Sequence, residues 1–196
     1  MRLLAIAMLA AGILGGTVPA VAGAPLTSCS TILTDKTIDG DLIVPPGKGC
    51  ELDGVTVIGN VHVGIGSCFF MQISATGSTT ILGNVIADHC ADIAWAPDVF
   101  IGGNLQIVGC TGPSYVQVTG TITGDFACLD NPAPCEIENA TIDGNLQVNN
   151  NSGGATVTGN YVGGNLQCVG NASSATTVSG NTVAGASQGQ CSGSNQ

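Results

Sequence analysis

Apolar and polar positions along this chain fall into columns once one recurring glycine is aligned. The glycine that precedes an Asn or Asp occurs at Gly40, Gly59, Gly83, Gly103, Gly124, Gly144 and Gly164, and in weaker form at Gly185. Two positions before it stand Ile38, Val57, Ile81, Ile101, Ile122, Ile142, Val162 and Val183, all β-branched. Two positions after it stand Leu42, Val61, Val85, Leu105, Phe126, Leu146 and Leu166. Four after it stand Val44, Val63, Ala87, Ile107, Cys128, Val148 and Cys168. Apolar side chains at alternate positions put one face of an extended chain inward, so the pattern predicts strands. β-branched residues suit a pleated, half-buried surface. A helix is excluded, because the apolar spacing is wrong and each interior glycine costs about 1 kcal/mol.

The steps between markers are 19, 24, 20, 21, 20, 20 and 21 residues. That period is long for a hairpin and short for a pair of helices, but suits one coil of a solenoid. The fold class predicted is all-β, a single-stranded parallel β-helix of about eight coils with a period near 20 residues. The Gly-Asn or Gly-Asp pair reads as a corner, since both residue types tolerate positive φ. Asp41, Asn60, Asn84, Asn104, Asp125, Asn145 and Asn165 follow the markers, and stacked at about 4.8 Å the Asn members can hydrogen-bond into a ladder.

On these residues the chain resembles the parallel β-helix proteins over about residues 36–189. It looks most like small exported bacterial β-helix repeat proteins that carry "GNLQC" and a closing "GQC", here Gly164–Cys168 and Gly189–Cys191. That resemblance implies no assigned activity. β-Helix lyases, as a family, use Arg or Lys as base together with calcium, and hydrolases on the fold use clustered aspartates.

The ends of the chain set a compartment. "LLAIAMLAAGIL" after Met1-Arg2, broken by Gly15, Gly16 and Pro19 and followed by the small residues "AVA", reads as a signal peptide over 1–22. Residues 23–35 then form an N-terminal cap or linker, 36–189 the β-helix and 190–196 a polar tail. No later apolar run is long enough to span a membrane. The protein is expected to be secreted or held in the cell envelope.

Loss of residues 1–22 removes Arg2, the only arginine, and leaves thirteen acids facing Lys36 and Lys48. Such a chain has no basic stripe, which argues against nucleic acid as a partner.

Nine cysteines follow the signal, most of them about one coil apart. Stacked positions fall within the Cα separation that a disulfide accepts. The pairings proposed are Cys90–Cys110, Cys168–Cys191, Cys128–Cys135 around "LDNPAP", and Cys50–Cys68. Zinc is the competing reading, but there is no C-x-x-C pair, and His62 and His89 are the only histidines. Cys29 ends "LTSC", which looks like a bacterial lipobox; the alternatives are lipidation and anchoring at Cys29, or a thiol that is free or differently paired.

Candidate chemistry gathers in two irregular coils, "GIGSCFFMQISATGS" and "ADHCADIAWAPDVF". They carry Phe69, Phe70, Trp95 and Phe100 beside Asp88, His89, Asp92 and Asp98. Aromatic rings beside carboxylates suit a sugar, with Trp95 and Phe100 as the ligand-binding pair. Asp88, Asp92 and Asp98, with His89 as a proton relay, are the candidates for a polysaccharide hydrolase-like site. The opposing reading makes the aromatics a satellite core under the loop. Asp39, Asp41, Glu51 and Asp53 form a second acidic group, either a calcium site or a solvated end that blocks stacking; no other cofactor or metal is implied.

Thr37, Thr56, Thr80, Thr121, Thr141 and Thr182 form an outward column interrupted by Phe100 and Tyr161. The neighbouring outward column is too mixed for an ice-binding lattice. The leading expectation is a non-enzymatic structural or adhesive component of a surface or matrix, binding a polysaccharide or a surface protein. The alternatives are a carbohydrate-active enzyme using the 88–98 loop and an end-to-end polymer. The degraded last coil, with Ala186 and Ser187 out of pattern, favours a capped monomer.

Overall fold

The computed structural model describes residues 25–72, 78–95, 99–112 and 116–193. Residues 1–22, read as a signal peptide, lie outside them. The chain winds as a parallel β-helix with three strand columns per coil. The first column is a nine-stranded parallel sheet. It runs through Thr27–Ser28, Leu42–Val44, Val61–Val63, Val85–Asp88, Leu105–Val108, Phe126–Leu129, Leu146–Asn149, Leu166–Val169 and Ser187–Gly189. The second column begins at Ile32–Thr34, Gly49–Asp53, Cys68–Gln72 and Asp92–Trp95, and ends at Ala155–Thr158 and Thr176–Ser179. The third holds Thr37–Ile38, Thr56–Val57, Thr80–Ile81, Phe100–Ile101, Tyr161–Val162 and Thr182–Val183.

Two long strands, Val116–Ile122 and Cys135–Ile142, serve the second and third columns at once. They bend at Gly120 and Asn139, whose φ values are 103° and 55°. The eight markers therefore mark off about seven full turns. The first coil starts at Thr27, inside the stretch read as a cap or linker, because Thr27 and Ser28 pair with Leu42 and Ile43. At the other end Cys191 is buried, so the start of the polar tail closes the last coil.

Like residues pile up as the alternation requires. Ile122, Ile142, Val162 and Val183 are consecutive register partners. All three apolar columns predicted from the marker are buried, and the inward residues of the second column, among them Leu52, Phe69, Met71, Ile93 and Ile137, complete the core. Each such side chain contributes roughly 1.5–3 kcal/mol on leaving water.

The predicted amide ladder is present. The backbone N–H of Asn60 donates to Asp41 Oδ1 at 2.7 Å, that of Asn84 to Asn60 at 3.0 Å, and the series continues through Asn104, Asp125, Asn145 and Asn165. It ends where Ala186 N donates to Asn165, since Ala186 carries no amide to extend it.

The reason for the marker glycine differs from the one the pattern suggested. Among the eight markers, Gly40 alone has positive φ, and none of the ladder residues does. A Cβ on Gly164 would stand 2.7 Å from Asn145 Oδ1 and 2.8 Å from Gly144 O. Glycine is thus required by close approach between coils. The left-handed corner lies six residues past the marker, where His89, Gly109, Asp130, Asn150 and Gly170 all have φ between 52° and 72°.

Two further ladders run inside the corners. Asn131 donates to Asn151 Oδ1 from backbone and side chain at 3.0 and 2.8 Å, and Asn151 does the same to Asn171 at 3.0 and 2.9 Å. Gln190 caps this series, accepting from Asn171 N and donating to Asn171 O. Asn160 and Asn181 form the other, with their side-chain amides donating to Ile137 O and Val157 O. All five of these Asn side chains are buried, and every one has partners, as buried amides require.

Candidate functional site

Cys29–Cys50, Cys90–Cys110 and Cys168–Cys191 staple successive coils, and a fourth disulfide, Cys128–Cys135, closes a turn within one coil. Three were anticipated; the Cys50–Cys68 pairing is corrected. Cys68 is the register partner of Gly49, while Cys50 faces Phe69. A one-residue offset turns a strand side chain to the other face. Cys50 consequently points inward and bonds Cys29, and Cys68 is a half-buried free thiol beside Asp92. Lipidation at Cys29 is corrected with it, because a thioether would need the sulfur already held by Cys50 in the interior.

Burial, and secondly the Asp92 charge, push the Cys68 thiol above its ordinary range. Little thiolate exists at neutral pH in such a setting. Iodoacetamide added to the folded, unreduced protein is therefore expected to label Cys68 alone, slowly at pH 7 and faster as pH rises past the usual thiol range. Peptide mapping of the same sample should return the four links above. A peptide joining Cys50 to Cys68 would contradict this register.

The candidate catalytic residues are spread around a corner rather than gathered. Asp88 ends the first-column strand of its coil, His89 occupies the left-handed corner, and Asp92 opens the second-column strand. Cys90, between them, turns inward to its disulfide. His89 Nδ1 and Asp88 Oδ1 are 2.6 Å apart, with the two side chains 61% and 62% exposed. An ion pair in that setting contributes little. Asp92 differs: its Oδ1 is buried with no hydrogen-bond partner among the described residues. Asp98 lies outside the described residues, as does the side chain of Trp95, whose backbone pairs with Met71.

The aromatic cluster is divided among interior and faces. Phe69 is fully buried in the core, and Phe70 points outward on the second column between Glu51 and Ala94. Phe100 lies on the third column between Thr80 and Thr121. Thus Phe100 and Asp88 belong to different sides of the coil, and the 88–98 segment does not unite them.

The acidic group of the first coils is likewise dispersed. Asp41 is engaged in the ladder, Asp39 is exposed beside the third column, and Glu51 and Asp53 belong to the second. Among the described residues no three His, Cys, Asp or Glu side chains come together as a metal site. A shallow surface depression of about 420 Å³ is lined by Asp35, Lys36, Thr37, Gly54 and Thr56, away from the 88–98 segment.

Glu136, which the sequence reading passed over, has its carboxyl raised above the usual range by burial and by the neighbouring Glu138. It lies two rungs beyond Ala94 on the second column, through Gln117. No local motif marks it, because a Glu-x-Glu on a strand reads as ordinary outward alternation.

No helix among the described residues is long and apolar enough to cross a membrane. Compared with protein-family models, with curated proteins and with solved structures, the chain matches none.

Proposed function

We propose that the protein is an exported, non-enzymatic β-helix that serves as a structural or adhesive component of a cell surface or extracellular matrix. The observation that carries this reading is the tying of coil to coil by amide ladders and three disulfides, with a fourth closing a turn within one coil. Disulfides of this density belong to an oxidising compartment. Stacked amides and staples resist local opening, which suits a rigid spacer or scaffold exposed to proteases. The acidic surface, with two lysines after the proposed signal, favours neutral partners over polyanions.

One observation favours the enzymatic alternative, a polysaccharide hydrolase-like activity centred on the 88–98 segment. A buried carboxylate oxygen without a partner among the described residues, such as Asp92 Oδ1, is the kind of group a reaction would use. Incubation of the mature protein with neutral and acidic polysaccharides, with and without chelator, decides between the two. The structural reading expects no soluble oligosaccharide in any condition. Product release that disappears in Asp92→Asn would replace it with the enzymatic one.

A further inference from the structure

We propose that the third strand column is a docking track for an extended, neutral, β-linked polysaccharide lying parallel to the helix axis. The proposal deepens the adhesive reading above and rests on it. The outward residues of this column are register partners in one unbroken line: Thr37, Thr56, Thr80, Phe100, Thr121, Thr141, Tyr161 and Thr182. None of the eight is charged. Phe100 is half-buried, and Tyr161 is 46% exposed. The two aromatic residues are separated by three rungs, about 14 Å at the strand spacing of a sheet. Between them stand the hydroxyls of Thr121 and Thr141.

A second regularity singles out these two rungs. Two residues after each column residue comes the next outward position, which holds Asp39, Ile58, Leu82, Thr123, Asp143 or Ala184 in the threonine rungs. After Phe100 and Tyr161 it holds Gly102 and Gly163. A Cβ on Gly102 would stand 2.6 Å from Leu82 O, and one on Gly163 would meet Asp143 O, so neither rung has room for a side chain there. Neither aromatic is thus followed by a side chain at the next outward position of its rung.

An exposed aromatic ring binds the apolar face of a pyranose, and hydroxyls alongside bond its rim. The rung spacing is close to the length of one sugar in an extended β-linked chain. A chain running along the axis therefore brings successive sugars to Phe100, Thr121, Thr141 and Tyr161 in turn. The uncharged column and the acidic protein around it select a neutral chain over a polyanionic one.

The test uses the mature protein and two insoluble probes, a β-1,4-glucan and chitin, with polygalacturonate as the charged comparison. Phe100→Thr combined with Tyr161→Thr restores the residue that the column uses elsewhere, so the melting temperature should be preserved. Retention on at least one neutral probe is expected for the wild type, with a loss of about tenfold or more in this variant. Thr121→Val with Thr141→Val, which keeps side-chain shape and β preference, should weaken retention as well. Gln147→Ala, on the first column, should bind as the wild type does. Absence of retention on both neutral probes, or full retention by the Thr variant, overturns the track. So does retention on polygalacturonate alone. Each of those results leaves the structural reading standing; product release would overturn that reading instead.

Discussion

Replacing Asn151 with Ala is expected to lower the unfolding free energy by about 4 kcal/mol, read as the shift in denaturant midpoint. The size follows from what one buried amide serves. Asn151 Oδ1 accepts from both the backbone N–H and the side chain of Asn131, and Asn151 Nδ2 donates to Cys128 O and to Asn171 Oδ1. Truncation leaves several groups unpaired in the interior, each costing roughly 1–3 kcal/mol, partly relieved by relaxation of the corner. Asn145→Ala, in the solvent-facing ladder, removes a similar set of bonds where water can replace them. Its cost should stay within about 1 kcal/mol. Equal costs for the two variants would mean that burial is not what gives the inner ladder its strength.

A second large effect is expected at the markers. Gly164→Ala should destabilise by about 3 kcal/mol, because the added methyl meets both the amide oxygen of Asn145 and the carbonyl of Gly144. Backbone atoms on the next coil cannot rotate away, so relief requires the two rungs to part. Gly49→Ala is the matched comparison: it has no neighbour within 4 Å of an added Cβ and no positive φ. That substitution should be neutral, or stabilising by a few tenths of a kcal/mol through the unfolded state. A mild effect at Gly164 and a severe one at Gly49 would refute close approach as the cause of the repeat's most regular letter.

The contrast between these glycines shows where sequence reading succeeds and where it stops. Alternation with period two, repeated every coil, identified the inward columns from Ile38 to Val183 and the outer amide ladder, because each is one residue type at one offset. The reason for the glycine was not legible. A corner glycine and a close-approach glycine look alike in a sequence, and only the neighbouring coil distinguishes them. The inner ladder was hidden for another reason. Its position holds Cys90 and Cys110 in earlier coils and Asn131, Asn151 and Asn171 in later ones, so the column changes chemistry midway. In the chain itself Asn151 sits within "NNNSGG", which reads as a polar loop.

The cysteines show the same boundary. Cys90–Cys110 was legible because both lie seven residues past their markers. Cys50–Cys68 fails that same test, since they stand ten and nine residues past Gly40 and Gly59, and a single residue of offset decides which face a strand side chain takes. The separation of Asp88 from Phe100 has a related reason. Nearness in sequence, as between Asp88 and Phe100, becomes separation around the coil, whereas Phe100 and Tyr161, 61 residues apart, are brought into one line.

That line supplies the most direct measurement of the stacked-coil architecture. With Cys68→Ser removing the free thiol and the disulfides intact, nitroxide labels can be placed at Thr56→Cys and either Thr141→Cys or Thr182→Cys. The register puts four and six rungs between those pairs. Pulsed electron resonance should give backbone-level separations of about 19 and 29 Å, growing by the same increment per rung. Distances that fail to increase from Thr141 to Thr182, or that do not scale with rung number, would contradict a single axis of superimposed coils.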